Sequence, residues 1–172
     1  MKKYIVGLGN TDKKYKNNRH NAGFLFIDYL LKSNNYNQKN LKNSQLFENE
    51  RELIIIKPKT FMNDSGLAVR EIVKNYSIDI EENLIIVHDD LDIPLGKYKY
   101  QLAKSPKDHN GIKSVESHLK TNKFYRIRIG IDNRQNHNIN GIDYVLRDFN
   151  KQELEILEVT FKEIKANIIN NC

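Results

Sequence analysis

Amide, imidazole and carboxylate side chains gather at the ends of apolar segments in this sequence. Asn10 follows the first apolar run, and His20-Asn21 opens a helical stretch. Asn63 sits in Phe61-Met62-Asn63 after Pro58, His88-Asp89 follows Leu84-Ile85-Ile86-Val87, and His109-Asn110-Gly111 opens another helical stretch. In open α/β sheets ligands bind beyond the carboxyl ends of the strands. Asn10 and Asp89 are therefore expected near one another, with the helix-opening groups close by. There is no Gly-x-Ser-x-Gly elbow, and the one cysteine, Cys172, stands at the end of the sequence without the surroundings of a nucleophile. Water activated by a His–Asp pair is the simplest chemistry these residues support.

Each residue also has a structural reading. An Asn ahead of a helix serves as an N-cap, and a lone His is often a satisfied core residue. Asp89-Asp90-Leu91-Asp92 reads as a turn, or as a hard-cation site if the loop folds its carboxylates inward, although no EF-hand spacing follows. No His/Cys/Asp/Glu set has zinc-ligand spacing, so no zinc site is expected, and no cofactor is expected. Gly7-x-Gly9 begins like a dinucleotide turn, but Asp12 occupies the third glycine position.

The elements that must carry these groups follow from periodicity. Tyr4-Ile5-Val6 is a short β-rich run ended by Gly7-Leu8-Gly9-Asn10. From Asn21 to about Ser33, Phe24, Ile27, Leu30 and Leu31 recur at helical spacing. Residues 34–45 read as a surface connection, and Leu46–Glu48 with Leu53–Ile56 as a hairpin. Leu67–Tyr76 is an amphipathic helix, and Leu84–Val87 is an unbroken apolar run typical of a strand buried on both faces. Gly96–Leu102 alternates Lys97, Lys99 and Gln101 with Tyr98, Tyr100 and Leu102, as a half-exposed strand does. Asn110–Leu119 is helical. Tyr125–Ile131 alternates Arg126 and Arg128 with isoleucines. Lys151 to about Ile169 is the longest helix, with Leu154, Leu157, Phe161, Ile164 and Ile168 on one stripe. Strands and helices interleave, so residues 1–172 form one α/β domain: a three-layer sandwich with a central twisted mixed sheet flanked by helices.

Composition agrees. The chain has 172 residues, 39% hydrophobic and 29% charged, enough for one core. Lys plus Arg total 28 against 22 acids, a net charge of +6 that draws the protein to polyanions. A single cysteine fits a reducing cytoplasm. No signal-peptide pattern and no apolar run approaching the ~20 residues of a membrane span is present.

Six blocks, in order, resemble the bacterial peptidyl-tRNA hydrolase family. They are Val6-Gly7-Leu8-Gly9-Asn10 with Tyr15 and Arg19-His20-Asn21-Ala22-Gly23; Lys57 to Gly66; Val87 to Gly96; His109 to Ser114; Arg126 to Ile131; and Asp143-Tyr144-Val145-Leu146. The blocks extend over residues 4 to about 149. The resemblance implies a monomeric cytoplasmic enzyme that cuts the ester between a peptide and the 3′ end of tRNA without a metal.

Carried over position by position, His20 would be the general base and Asp89 the group that orients its imidazole. Asn10 would position the ester end. Asn63 and Asn110 would hold the peptide backbone or the water, with Tyr15, Phe61, Met62 and His109 lining the cleft. The acceptor stem would be held through phosphates by Lys99, Lys104, Lys107, Lys113 and Arg128. Two departures stand out. The stretch before the His-Asn-Gly block, Ala103-Lys104-Ser105-Pro106-Lys107-Asp108, contains no glycine, and Gln101 occupies a place where the family often has a basic residue. Lysine charge at Lys104 and Lys107 is expected to replace backbone contacts there. The rival reading is a non-catalytic RNA-binding relative, which would not need His20 and Asp89 together.

Overall fold

The computed structural model describes residues 2–32, 35–49, 53–104, 108–135 and 139–171. A seven-stranded sheet lies at the centre, built from β1 (Lys3–Gly7), β2 (Asn37–Asn40), β3 (Ser44–Glu48), β4 (Leu53–Pro58), β5 (Leu84–Pro94), β6 (Tyr98–Leu102) and β7 (Tyr125–Asp132). Its order is β2-β3-β4-β1-β5-β7-β6. The central strands β4, β1, β5 and β7 run parallel, and antiparallel pairs close both sides. The helices are α1 (Ala22–Leu31), α2 (Ser65–Tyr76), α3 (Ile80–Asn83), α4 (Asn110–Leu119), α5 (Gly141–Val145) and α6 (Lys151–Asn167).

Alternation along the strands divides the core into two layers. Ile5, Ile55, Ile85, Val87 and Ile127 pack on Phe26, Ile27 and Leu30 of α1 and on Leu157, Phe161 and Ile164 of α6. Val6, Ile54, Ile56, Leu84 and Ile86 pack on Val69 and Ile72 of α2 and on Ile112 and Val115 of α4. The unbroken apolar run at the start of β5 thus feeds both layers. Each such fully buried side chain stabilises the fold by about 1.5–3 kcal/mol.

Two glycines, Gly7 at the end of β1 and Gly23 in the first turn of α1, serve packing. A Cβ on Gly7 would lie 2.4 Å from the Ile27 side chain and 2.6 Å from the Gly23 carbonyl oxygen, and one on Gly23 would meet the Val87 and Leu8 carbonyls at 2.5 and 2.6 Å. Only glycine lets α1 approach β1 and β5 this closely, which brings the turn before α1 over the sheet.

Several expectations need correction. The stretch 34–45 contains β2, an exposed polar strand that borrows its hydrogen bonds from β3. The segment after Val87 continues as strand to Pro94, with a register irregularity between Asp90 and Pro94. On β6, Tyr98 packs at the edge of the core while Tyr100 and Leu102 are exposed, so only one end of the strand covers apolar residues. The short helix α5 was not read from the sequence.

Candidate active site

The turn that carries His20 is a single 3-10 turn, Arg19–Asn21, joined directly to α1. Asp89 lies within β5, and His109 is the N-cap of α4. These groups meet at one end of the parallel strands. His20 Nδ1 lies 2.9 and 3.1 Å from the Asp89 carboxylate oxygens, and His109 Nε2 lies 2.9 Å from Asp89 Oδ1. The His20 and His109 rings are 4.8 Å apart.

The network fixes both tautomers. Ile112 N–H donates to His109 Nδ1 at 3.3 Å, so neutral His109 carries its proton on Nε2 and donates it to Asp89. Asp89 can only accept when ionised, so His20 donates from Nδ1, which leaves the lone pair of its Nε2 as the basic site. Burial favours the neutral acid at Asp89, but His20 and His109 outweigh it and hold its pKa well below the usual carboxylate range. Burial also works against the His20 imidazolium, yet the charge and hydrogen bond of Asp89 prevail and raise its pKa above the ordinary histidine value.

Among the described residues, His20, Asp89 and His109 are close enough to suggest a metal site. The hydrogen bonds argue against it. A metal on His109 Nε2 would move the ring proton to Nδ1, where it would face the Ile112 N–H donor.

Asn10 is held from both sides. Asn21 Oδ1 accepts from the Asn10 backbone N–H at 2.7 Å, and Asn21 Nδ2 donates to the Asn10 carbonyl at 3.0 Å. The Met62 N–H donates to Asn10 Oδ1 at 2.8 Å, which assigns Nδ2 as the donor end of that amide. Asn21 therefore makes no side-chain cap to α1; the cap of α4 is His109.

A cleft of about 630 Å³ opens over this network. Asn10, Tyr15, His20, Phe61, Met62, Asn63, Asp89, His109 and Asn110 all line it, so the structure gathers the nine cleft residues expected from the sequence. The sequence reading missed the opposite wall, Leu91 with Ile142, Val145 and Leu146 around α5. The signal available was a run of apolar residues that α5 is too short to bury: Ile142 and Leu146 are exposed.

The basic residues lie outside this lining. Lys99 and Lys104 are exposed, and Lys113 is exposed but paired with Asp108. Lys107 lies outside the described residues. Arg128 departs from expectation: it is only 5% exposed. Its Nε donates to Asp90 at 2.7 Å and its Nη1 to Gln101 Oε1 at 2.8 Å. Gln101 thus supplies an acceptor where a cation would repel Arg128. Arg126 is likewise buried, against Glu116.

Comparison with known proteins shows the family and the fold. A family model described as peptidyl-tRNA hydrolase matches residues 4–171. The chain belongs to the peptidyl-tRNA hydrolase family. It is similar to the peptidyl-tRNA hydrolase of Mycoplasma mycoides subsp. mycoides SC, 42% identical over 98% of this chain and 91% of that one. It is also similar to that of Sulfurihydrogenibium sp., 43% identical over 99% of this chain and 90% of the relative. The crystal structure of peptidyl-tRNA hydrolase from Acinetobacter baumannii superposes with a TM-score of 0.85 at 28% identity, covering 96% of this chain and 85% of that one.

Proposed function

We propose that this chain hydrolyses the ester joining a peptide to the 3′ end of tRNA, with His20 as general base. The observation that carries the reading is the Asp89–His20 contact, which leaves Nε2 as the proton acceptor at the floor of the cleft. Nε2 takes a proton from water as the water oxygen attacks the ester carbonyl carbon. Asp89 stabilises the imidazolium that forms. The amide donor of Asn10, with Asn63 and Asn110, stabilises the tetrahedral oxyanion. On collapse the tRNA 3′ oxygen leaves with the proton from His20, giving free tRNA and the peptide's carboxylic acid, which ionises to the carboxylate in water.

The wall of Leu91, Ile142, Val145 and Leu146 suits the peptide. A site whose amides bind a neutral peptide N–H or C=O penalises the charged amine of aminoacyl-tRNA, because that amine lacks an acceptor. Lys99, Lys104, Lys107 and Lys113 would contact the acceptor-stem phosphates, and residues 1–172 would act as one monomeric cytoplasmic domain without a cofactor. No helix among the described residues is long and apolar enough to cross a membrane.

The test is incubation with an N-blocked aminoacyl-tRNA beside its unblocked counterpart. Release from the blocked species alone is expected. Retained tRNA binding with no release from either would favour the RNA-binding alternative.

A further inference from the structure

Two consecutive side chains of one turn reach opposite anchors. His20 turns to Asp89, while Arg19 is buried on the other side. Arg19 Nη2 donates to both carboxylate oxygens of Glu153 at 2.7 and 2.8 Å. Its Nη1 donates to the carbonyls of Asp148 and Arg147 at 2.6 and 3.2 Å. The guanidinium carbon lies 4.3 Å from the ring centroid of Tyr144 and 5.2 Å from that of Phe149. The backbone repeats the tie: Arg19 N–H donates to the Arg147 carbonyl at 3.0 Å, and Phe149 N–H to the Asn17 carbonyl at 2.9 Å. The Asn18 side chain donates to the Leu146 carbonyl.

The platform beneath Arg19 is itself fixed. Tyr144 belongs to α5; its hydroxyl donates to the Ile131 carbonyl at 3.2 Å and accepts from the Asn133 N–H at 3.0 Å. Its neighbours Ile142, Val145 and Leu146 line the cleft. Glu153 is also engaged, accepting the Asn150 N–H at 2.9 Å in the capping box of α6. A buried ion pair is weak evidence for added stability. What this one supplies is geometry, because a planar guanidinium binds a carboxylate with two donors while still reaching two carbonyls and two rings.

We propose that Arg19, held by Glu153, is a positioning residue: it fixes the turn bearing His20 against the α5 wall, so that the base and the wall that receives the peptide keep one mutual geometry. The proposal rests on the reading of His20 as the base. Without the guanidinium, the turn keeps its backbone bonds to Arg147 and Phe149 and the Asn18 and Asn21 contacts, but loses the two-donor fork to Glu153 and the stacking on Tyr144 that fix its angle to the α5 wall. A misplacement of about 1 Å can cost on the order of 10²-fold in rate.

The test uses Arg19→Lys, which keeps the charge but not the fork, and Glu153→Gln, which keeps the shape and an acceptor for Asn150. Two readouts are compared with wild type: the titration of the His20 ring followed by nuclear magnetic resonance, and kcat and KM on an N-blocked aminoacyl-tRNA. The expected result in both folded variants is a His20 titration moved toward the ordinary histidine value, a kcat lowered roughly ten- to hundredfold, and a raised KM. An unchanged titration and kcat with only a lower melting temperature would show the pair to be structural and overturn the proposal, as would failure of both variants to fold. A moved titration with unchanged kcat would overturn the reading of His20 as the base, and the proposal with it.

Discussion

The centre of the cleft and its basic surroundings are built in different ways. Around Asp89 the polar contacts are directional and geometrically specified: buried Asp89 receives His20 and His109, and Asn10 is clamped by Asn21 and Met62. Lys99 and Lys104 stand exposed on and just after β6, an edge strand. Directional chemistry needs fixed atoms, whereas phosphate attraction tolerates many geometries of a flexible cation. Arg128 crosses the divide. It was expected among the phosphate contacts, but it is buried beside Asp90.

Breaking the centre carries the largest expected effect. His20→Ala is expected to lower turnover of an N-blocked aminoacyl-tRNA by roughly 10²–10⁴ while the fold is kept. Near-normal turnover in the folded variant would sink the mechanism.

Asp89→Asn tests the orienting partner and is expected to lower turnover by up to on the order of 10⁴-fold, because its amide can offer N–H to Nδ1 and favour the wrong tautomer. A pH profile sharpens the result. Protonated His20 cannot accept a proton from water, so kcat/KM should rise with pH through the His20 pKa. Because Asp89 raises that pKa, the wild-type limb should lie above the ordinary value of about 6.5. In Asp89→Asn the limb should move to lower pH; a limb that stays in place would show that Asp89 does not set the basicity of His20.

Arg128→Met separates the two regions by a different readout. It leaves buried Asp90 without its ion partner, so a loss of about 3–5 kcal/mol in unfolding free energy is expected in a denaturant titration. The salt dependence of tRNA binding should hardly change. A flatter slope with intact stability would return Arg128 to the phosphate-binding set.

The smallest effect belongs to the rim. Replacing Lys99 and Lys104 together by Ala should flatten the plot of log affinity against log salt by up to about two phosphate equivalents. Cleavage of a minimal substrate carrying only the terminal nucleotide should be unaffected. An unchanged slope would mean that these lysines face solvent only.

Pattern alone determined much of this protein. The apolar run Leu84–Val87 and the stripe along Lys151–Asn167 announce a strand buried on both faces and a helix packed on the sheet, because burial imposes its period directly on the residues. The positions of Asn10, Asp89 and the helix-opening His20 and Asn110 at segment ends pointed to one cleft, Asn63 was added by the family resemblance, and all five line it. The tertiary structure decided what pattern does not encode. Asn37-Gln38-Lys39-Asn40 is a strand because β3 offers hydrogen bonds, although its side chains are polar and exposed. The arginines of β7 look solvent-facing in an alternating run, yet Glu116 and Asp90 arrive from distant positions to neutralise them in the interior. The α5 wall exists because Tyr144 is held at the end of β7 and against Arg19. The partner lies in the next strand for β2 and ten or more residues away for Arg126, Arg128 and Tyr144, and local periodicity carries no information about which group outside the segment will supply a hydrogen bond or a charge.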